Sequence, residues 1–114
     1  PRSTLFPYTT LFRSKLAKAA SIIDEIMILA NKKSKKFTMG YAETLNANQL
    51  GAVESIVFSD KLIQDNNEQE IMNFLNDVEN KGVKIYSVDS STDIGLRVTG
   101  LGGIVSLLRY SLET

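Results

Sequence analysis

The sequence predicts an α/β fold, a three-layer α-β-α sandwich built around a mostly parallel mixed sheet. Three observations point there. Segments with helical spacing alternate with short β-branched runs, the pattern of layered α/β architecture. The strand-like runs are apolar with little alternation, as in sheets covered on both faces. A glycine-dense turn, "GLGG" at 100–103, feeds the last of these runs, where a helix must reverse within two residues into a core strand. At 114 residues the chain forms one domain, long enough to bury roughly two-thirds of the surface it exposes when unfolded.

Residues 1–14, "PRSTLFPYTTLFRS", stand apart from the rest. Both prolines, Pro1 and Pro7, fall here, the triplet TLF occurs at 4–6 and again at 10–12, and no methionine precedes it. The segment lacks the features of a transit or secretory peptide. It resembles translated adapter sequence, so the domain is expected to span 15–114, as a fragment of a longer protein. The other reading is a native extended arm with exposed aromatics.

Over 15–31, Leu16, Ala19, Ala20, Ile23, Ile26, Met27 and Ala30 recur at spacings of three and four, one face of a helix. The run "KKSKK" at 32–36 suits a helix C-terminus, where the dipole is negative, better than a nucleic-acid footprint. A second helix is expected over 41–50, closed by Gly51. The run 52–58, "AVESIVF", reads as a buried strand with Asp60 just past its end. Ile71, Phe74, Leu75 and Val78 define a helix over 68–80 that Gly82 stops. Strand 83–88, a short helix at 93–98 and strand 104–108 complete the order.

Composition removes several functions. There is no cysteine and no histidine, hence no disulfide, no thiolate site and neither of the commonest catalytic bases or nucleophiles. Thirteen basic residues balance thirteen acidic ones, so no net field draws in nucleic acid or an anionic membrane. Without Arg2 and Arg13 the count becomes 11 against 13. No apolar run approaches the roughly 18 residues of a spanning helix. A monomeric cytoplasmic protein is expected.

Glu54, Asp60, Asp89 and Asp93 lie in or just past strands, where open α/β sheets bind ligands. Their local sequences, "FSDKL" and "VDSSTD", nevertheless fit turns and helix caps. No catalytic residue, cofactor site or metal site is assigned. The glycines at 100–103 precede a strand and lack a following Lys-Ser/Thr, which argues against a phosphate cradle. Arg109 closes the final strand, either packing its stem at an edge or meeting a partner.

"GAVESIVFSDKL" at 51–62, followed some forty residues later by "GLGGIVSLLRYSL", resembles the C-terminal domain of the Pelota family, the archaeal and eukaryotic factors of mRNA surveillance and ribosome rescue. Met39-Gly40 stands for the family's Tyr-Gly, and Gly51, Ala52, Val53 and Glu54 match Gly-Ala-Val-Glu. Ser59, Asp60 and Leu62 match Ser/Thr-Asp-x-Leu. Gly95, Gly100, Gly102, Gly103 and Ile104, then Leu108-Arg109-Tyr110, match the closing motifs. Thr92 replaces the family's histidine, and Ile94 and Leu96 replace polar residues. Class-1 release factors share this domain type but generally carry an inserted subdomain, some with cysteines; this chain has neither. Kink-turn-binding ribosomal proteins are similar in fold, but their Gly-x-Asn-Glu-x-x-Lys becomes Gly40 to Asn46 with Ala42 and Asn46 replacing the base reader and the phosphate partner.

The resemblance implies a docking domain without enzymatic activity. In the family this domain engages an elongation-factor-like GTPase during delivery to a stalled ribosome, then an ABC-type ATPase that splits the subunits. A divalent-metal endonuclease credited to the family is placed in an N-terminal domain absent here. Asp60 and Arg109 are the candidate partner-binding residues. The alternatives are a release-factor C-terminal domain and a kink-turn RNA-binding module, direct RNA binding being disfavoured.

Overall fold

A computed structural model describes the backbone of residues 2–111 and the side chains of 17–111. Leu112, the last residue of the closing motif, and the side chain of Leu16 lie outside these. The elements in order are α1 (Arg2–Asn31), β1 (Phe37–Met39), α2 (Tyr41–Gln49), β2 (Val53–Ser59), α3 (Asp60–Asp65), α4 (Glu68–Asn80), β3 (Lys84–Val88), α5 (Asp93–Gly100) and β4 (Ile104–Leu108).

The sheet has the order β1-β4-β2-β3. β4 is its most enclosed strand, buried at all five positions. Alternating side chains split the core into two layers, as the two-residue period of a strand requires. Ile56, Phe58, Ile104 and Leu108 face α2, α3 and α4, where Ala47, Leu62, Ile71, Phe74 and Val78 meet them. Val57, Val88, Val105 and Leu107 face α1 and α5, against Ala19, Ile23, Ile26 and Val98. This is the three-layer sandwich expected. Tyr41 meets Phe74 edge-to-face, ring centroids 5.3 Å apart, where α2 crosses α4.

The expectation of a mostly parallel sheet needs correction. Only β2–β3 is parallel; β4 runs antiparallel to both β1 and β2. The cause is the path of residues 89–103. A parallel crossover would carry the chain back to the amino ends of the strands, but α5 returns it to the end that β3 leaves, where Gly103 carbonyl accepts from Ser59 N–H at 2.9 Å. β4 therefore enters from the carboxyl ends of β2 and β3. Arg109 consequently closes a central strand rather than an edge one. Two short elements, β1 and α3, escaped the periodicity because neither is long enough to show one.

Gly102 enforces the reversal. Its φ is +114°, and a Cβ there would lie 2.9 Å from Gly40 Cα, a backbone atom that cannot swing aside. The approach brings Gly40 N–H to Ile104 carbonyl at 2.8 Å and so seats β1 beside β4. Under this junction three buried hydroxyls bond to one another: Thr38 to both Thr44 (2.9 Å) and Ser106, while Thr44 donates to Gly40 carbonyl at 2.8 Å.

α1 closes beside the lysine run. Lys33 has φ +58°, and Ser34 N–H reaches Leu29 carbonyl at 2.9 Å, the bond that caps a helix through a left-handed residue. Lys32, Lys33, Lys35 and Lys36 are exposed. The helix itself starts at Arg2, so the segment expected to be foreign is helical rather than extended. The buried residues described in α1 are Ala19, Ile22, Ile23 and Ile26, all beyond that segment.

Three outcomes follow for stability. Gly102→Ala combines a positive φ with a backbone clash and should cost about 2 kcal/mol or more. Gly100→Ala sits in helical backbone with nothing within 4 Å of the added methyl and should gain about 0.5–1 kcal/mol. Urea melts of both variants check the opposite signs. A chain beginning at Lys15 should melt within about 1 kcal/mol of the full chain; a loss above about 2 kcal/mol would show that the first fourteen residues pack.

Candidate functional site at the two ends of the second strand

The candidate residues Asp60 and Arg109 do not meet. Arg109 lies beside Val53, where β2 begins, and Asp60 follows Ser59, where β2 ends. Seven residues of strand separate these points, about 20 Å. There are two candidate surfaces.

At the amino end, α2 closes at Gly51 and Ala52 N–H bonds back to Ala47 carbonyl. Glu54 is then the extra residue of a bulge, since Val53 pairs with Leu108 and Ser55 with Leu107. Glu54 is exposed while its neighbours are buried. Arg109 fastens the bulge: its backbone N–H donates to Ala52 carbonyl at 2.7 Å and its Nε to Val53 carbonyl at 3.2 Å. The arginine thus has a structural task, and being exposed it also presents a cation at the surface. Beside it, Tyr110 donates its hydroxyl to Leu50 carbonyl at 3.0 Å. Tyr110 and Leu50 are about half exposed, at 49% and 55%.

A polar seam backs this patch. Buried Asn48 donates to Asp77 at 2.9 Å, and Lys81 reaches both Asp77 (3.3 Å) and Asn48 carbonyl (3.0 Å). The Asn48 bond first, and Lys81 second, hold the Asp77 carboxyl below the usual carboxylate range. A shallow cleft of about 260 Å³ lies between Lys81 and Arg109, floored by Gly51, Val53 and Val83. Two cations lining a cleft, with an exposed tyrosine and leucine at the neighbouring chain positions, form the chemistry of a protein contact. Sequence reasoning found Arg109 but passed over Leu50, Lys81 and the exposure of Tyr110. The signal available was an apolar residue at the last turn of a helix, directly before its glycine stop.

At the carboxyl end, Asp60 starts α3 and its Oδ1 accepts from Ser90 N–H at 2.7 Å, joining β2 to the loop after β3. Gln64 donates to Oδ2 at 3.3 Å. The Ser90 bond is the main reason its carboxyl sits below the ordinary value. Asp89 accepts from Ser91 N–H and Oγ, both at 2.9 Å, in a side-chain turn. Thr92 caps α5 by accepting from Gly95 N–H at 3.0 Å. Gly95 packs so closely that a Cβ would stand 1.8 Å from Asp89 carbonyl oxygen. Ser59, fully buried, lies 3.1 Å from Thr99 Oγ1. Ile94 packs into the core beneath α5, whereas Leu96 is 60% exposed. Asp60, Asp89 and Thr92 are thus occupied by turns and caps. Among the described residues no cluster of three or more metal-binding side chains forms, and no helix is long and apolar enough to cross a membrane.

Asp60 yields a pH signature. A carboxyl lowered by its native partner stabilises the fold above its unfolded value of about 3.9, and that contribution disappears as pH falls through the lower folded value. Asp60→Asn keeps an acceptor for Ser90 but cannot titrate. Urea midpoints measured from pH 6 down to about 2.5 should fall less steeply for the variant than for the wild-type chain.

The family model for eRF1 domain 3 matches residues 16–112. A protein pelota homolog of Nitrosopumilus maritimus is 79% identical over 101 residues, 89% of this chain and 29% of the relative. The crystal structure of Archaeoglobus fulgidus Pelota superposes with a TM-score of 0.81 at 26% identity, over 90% of this chain and 32% of that one. The structure of Saccharomyces cerevisiae Dom34, described as a translation termination-like factor involved in RNA quality control pathways and interacting with Hbs1, gives 0.77 at 27% identity, over 84% and 28%. The chain spans less than a third of the length of these relatives.

Proposed function

Because this chain belongs to the eRF1 domain 3 family, in its Pelota form, we propose that it is the docking domain of a cytoplasmic factor that rescues stalled ribosomes and serves mRNA surveillance. The observation that carries this reading is the match to eRF1 domain 3 across 16–112, together with 79% identity to a pelota homolog. Dom34, with the same fold, is described as interacting with Hbs1 and acting in RNA quality control. The domain is an interaction domain rather than a catalytic one. In our reading it binds an elongation-factor-like GTPase and, at a later stage, an ABC-type recycling ATPase, and meets the ribosome through the rest of its parent protein.

The surface assigned to docking is the amino end of β2, where Arg109 and Lys81 line the cleft and the exposed Tyr110 and Leu50 stand next to Arg109 and Gly51 in the chain. Arginine and tyrosine are favoured anchors, and an exposed leucine supplies apolar area that water does not reward. Asp60 is the weaker candidate because its carboxylate already holds Ser90. A release-factor role is less well supported, given the high identity to a pelota homolog. Kink-turn binding is disfavoured by Ala42 and Asn46, which replace the base reader and the phosphate partner.

Calorimetry with the translational GTPase and recycling ATPase of Nitrosopumilus maritimus checks the proposal. Saturable binding to both at about micromolar Kd or tighter is expected. Arg109→Ala should weaken it about 30-fold, or about 2 kcal/mol, whereas losing the bond to Val53 carbonyl should cost about 1 kcal/mol of stability. Unchanged affinity at 25 °C would reduce Arg109 to its structural task. Absence of binding by the wild-type chain to either protein, with tight binding to a kink-turn stem, would overturn docking in favour of RNA recognition.

A further inference from the structure

β3 ends the sheet and pairs on one side only, with β2. In a parallel pair alternate residues turn both backbone groups toward the neighbour, so the others turn theirs outward. The opposite edge is managed: at β1, Glu43 takes up Met39 N–H at 3.2 Å. Among the described residues no side chain does the same for Lys84–Val88. This edge is open for strand addition.

A groove follows that edge in two adjoining parts. One, of about 550 Å³, lies between α4 and β3 and is walled by Met72, Leu75, Ile85 and Tyr86, with Glu79 in its lining. The other, of about 350 Å³, lies past the carboxyl ends of the strands, between Ile63 and Val88, with Asp60 and Asp89. Phe58 and Ser87 line both, so the parts adjoin along the strand. Met72 is 41% exposed, an apolar side chain left beside the open backbone. The groove lining carries three carboxylates, one in the first part and two in the second, and no lysine or arginine. Lys84 stands on the strand outside it.

We propose that the free edge of β3 accepts an extended segment of a partner protein, apolar at its centre and basic at both ends, as a fifth strand. The unpaired backbone demands an extended occupant, since only a strand matches its spacing. Five residues of edge span about 17 Å, the reach of a short linear segment rather than a folded surface. Apolar side chains on one face of that segment lie over Phe58, Leu75 and Ile85. Lysine or arginine at its ends meets Glu79 on one side and Asp60 with Asp89 on the other. This surface adjoins the Arg109 cleft at Val83 but shares no other lining residue with it, and strand addition makes no use of Arg109.

The probe is the peptide Lys-Val-Thr-Val-Thr-Val-Arg, added to the full chain and followed by amide hydrogen exchange and NMR shifts. Two control peptides carry glutamate at both ends, or N-methyl groups on alternate backbone amides. The basic peptide should slow exchange within Lys84–Val88 and leave Phe37–Met39 unchanged. The glutamate version should bind about tenfold more weakly or less, and the methylated one should give no protection. Glu79→Gln, a change at an exposed position, should weaken the basic peptide and bring the two charged peptides closer together. Protection elsewhere, equal affinity for both charged peptides, or binding by the methylated peptide would overturn the proposal. So would concentration-dependent protection of β3 without peptide, which would make a second copy of this chain the occupant.

Discussion

The whole sheet is organised by one backbone contact, Gly102 against Gly40. It lets two turns touch at a distance that no side chain permits, and β4 then fits between β1 and β2. All five residues of β4 are buried, and they contribute to both core layers, so the helices on either face pack onto a strand whose placement the glycines decide. The hydroxyls of Thr38, Thr44 and Ser106 add a second condition. Shifting β4 by one residue would exchange Ser106 for an apolar neighbour and leave Thr38 with an unmade buried hydrogen bond. Contact and hydroxyl cluster select the same register.

β2 is the strand that connects surface to surface. Its bulge at Glu54 is fastened by Arg109, and its far end is tied to the loop after β3 through Asp60 and Ser90. Since the two ends are about 20 Å apart and share no side-chain partner, changes at them should act independently. In the proposed docking role this separation would leave one surface accessible while the other is engaged.

Much of this was legible in the sequence. The boundaries of α4 and β4 follow from residues that carry strong spacing and clear stops, such as Gly82 after Asn80 and the glycines before Ile104. Gly100 to Gly103 were readable as a reversal because nothing else explains that density of glycine. Strand direction was not legible: "VKIYSV" and "GIVSLL" look alike whichever way they run, and direction depends on where α5 delivers the chain. The Arg109 surface was half legible. Arg109 stood out at the end of an apolar run, whereas Asn48, Asp77 and Lys81 converge from helix ends far apart in the chain, which no local pattern records. Asp60 carried a capping signal, and its partner Ser90, thirty positions away, did not.

The position of β4 also has a bearing on when the protein can fold. Thr38 and Ser106 are 68 residues apart, and among the described residues β1 pairs with β4 alone. A chain emerging from the ribosome can form α1, α2 and the β2–β3 pair early, but β1 stays unpaired until residues 104–108 have been made. Pairing across so long a separation is slow, and it exposes Val57 and Ile56 on both faces of β2 while it waits. A domain of this topology is therefore completed from its middle only once β4 has been made, and a nascent chain stopped a few residues short of β4 would present an unfinished sheet to the cell.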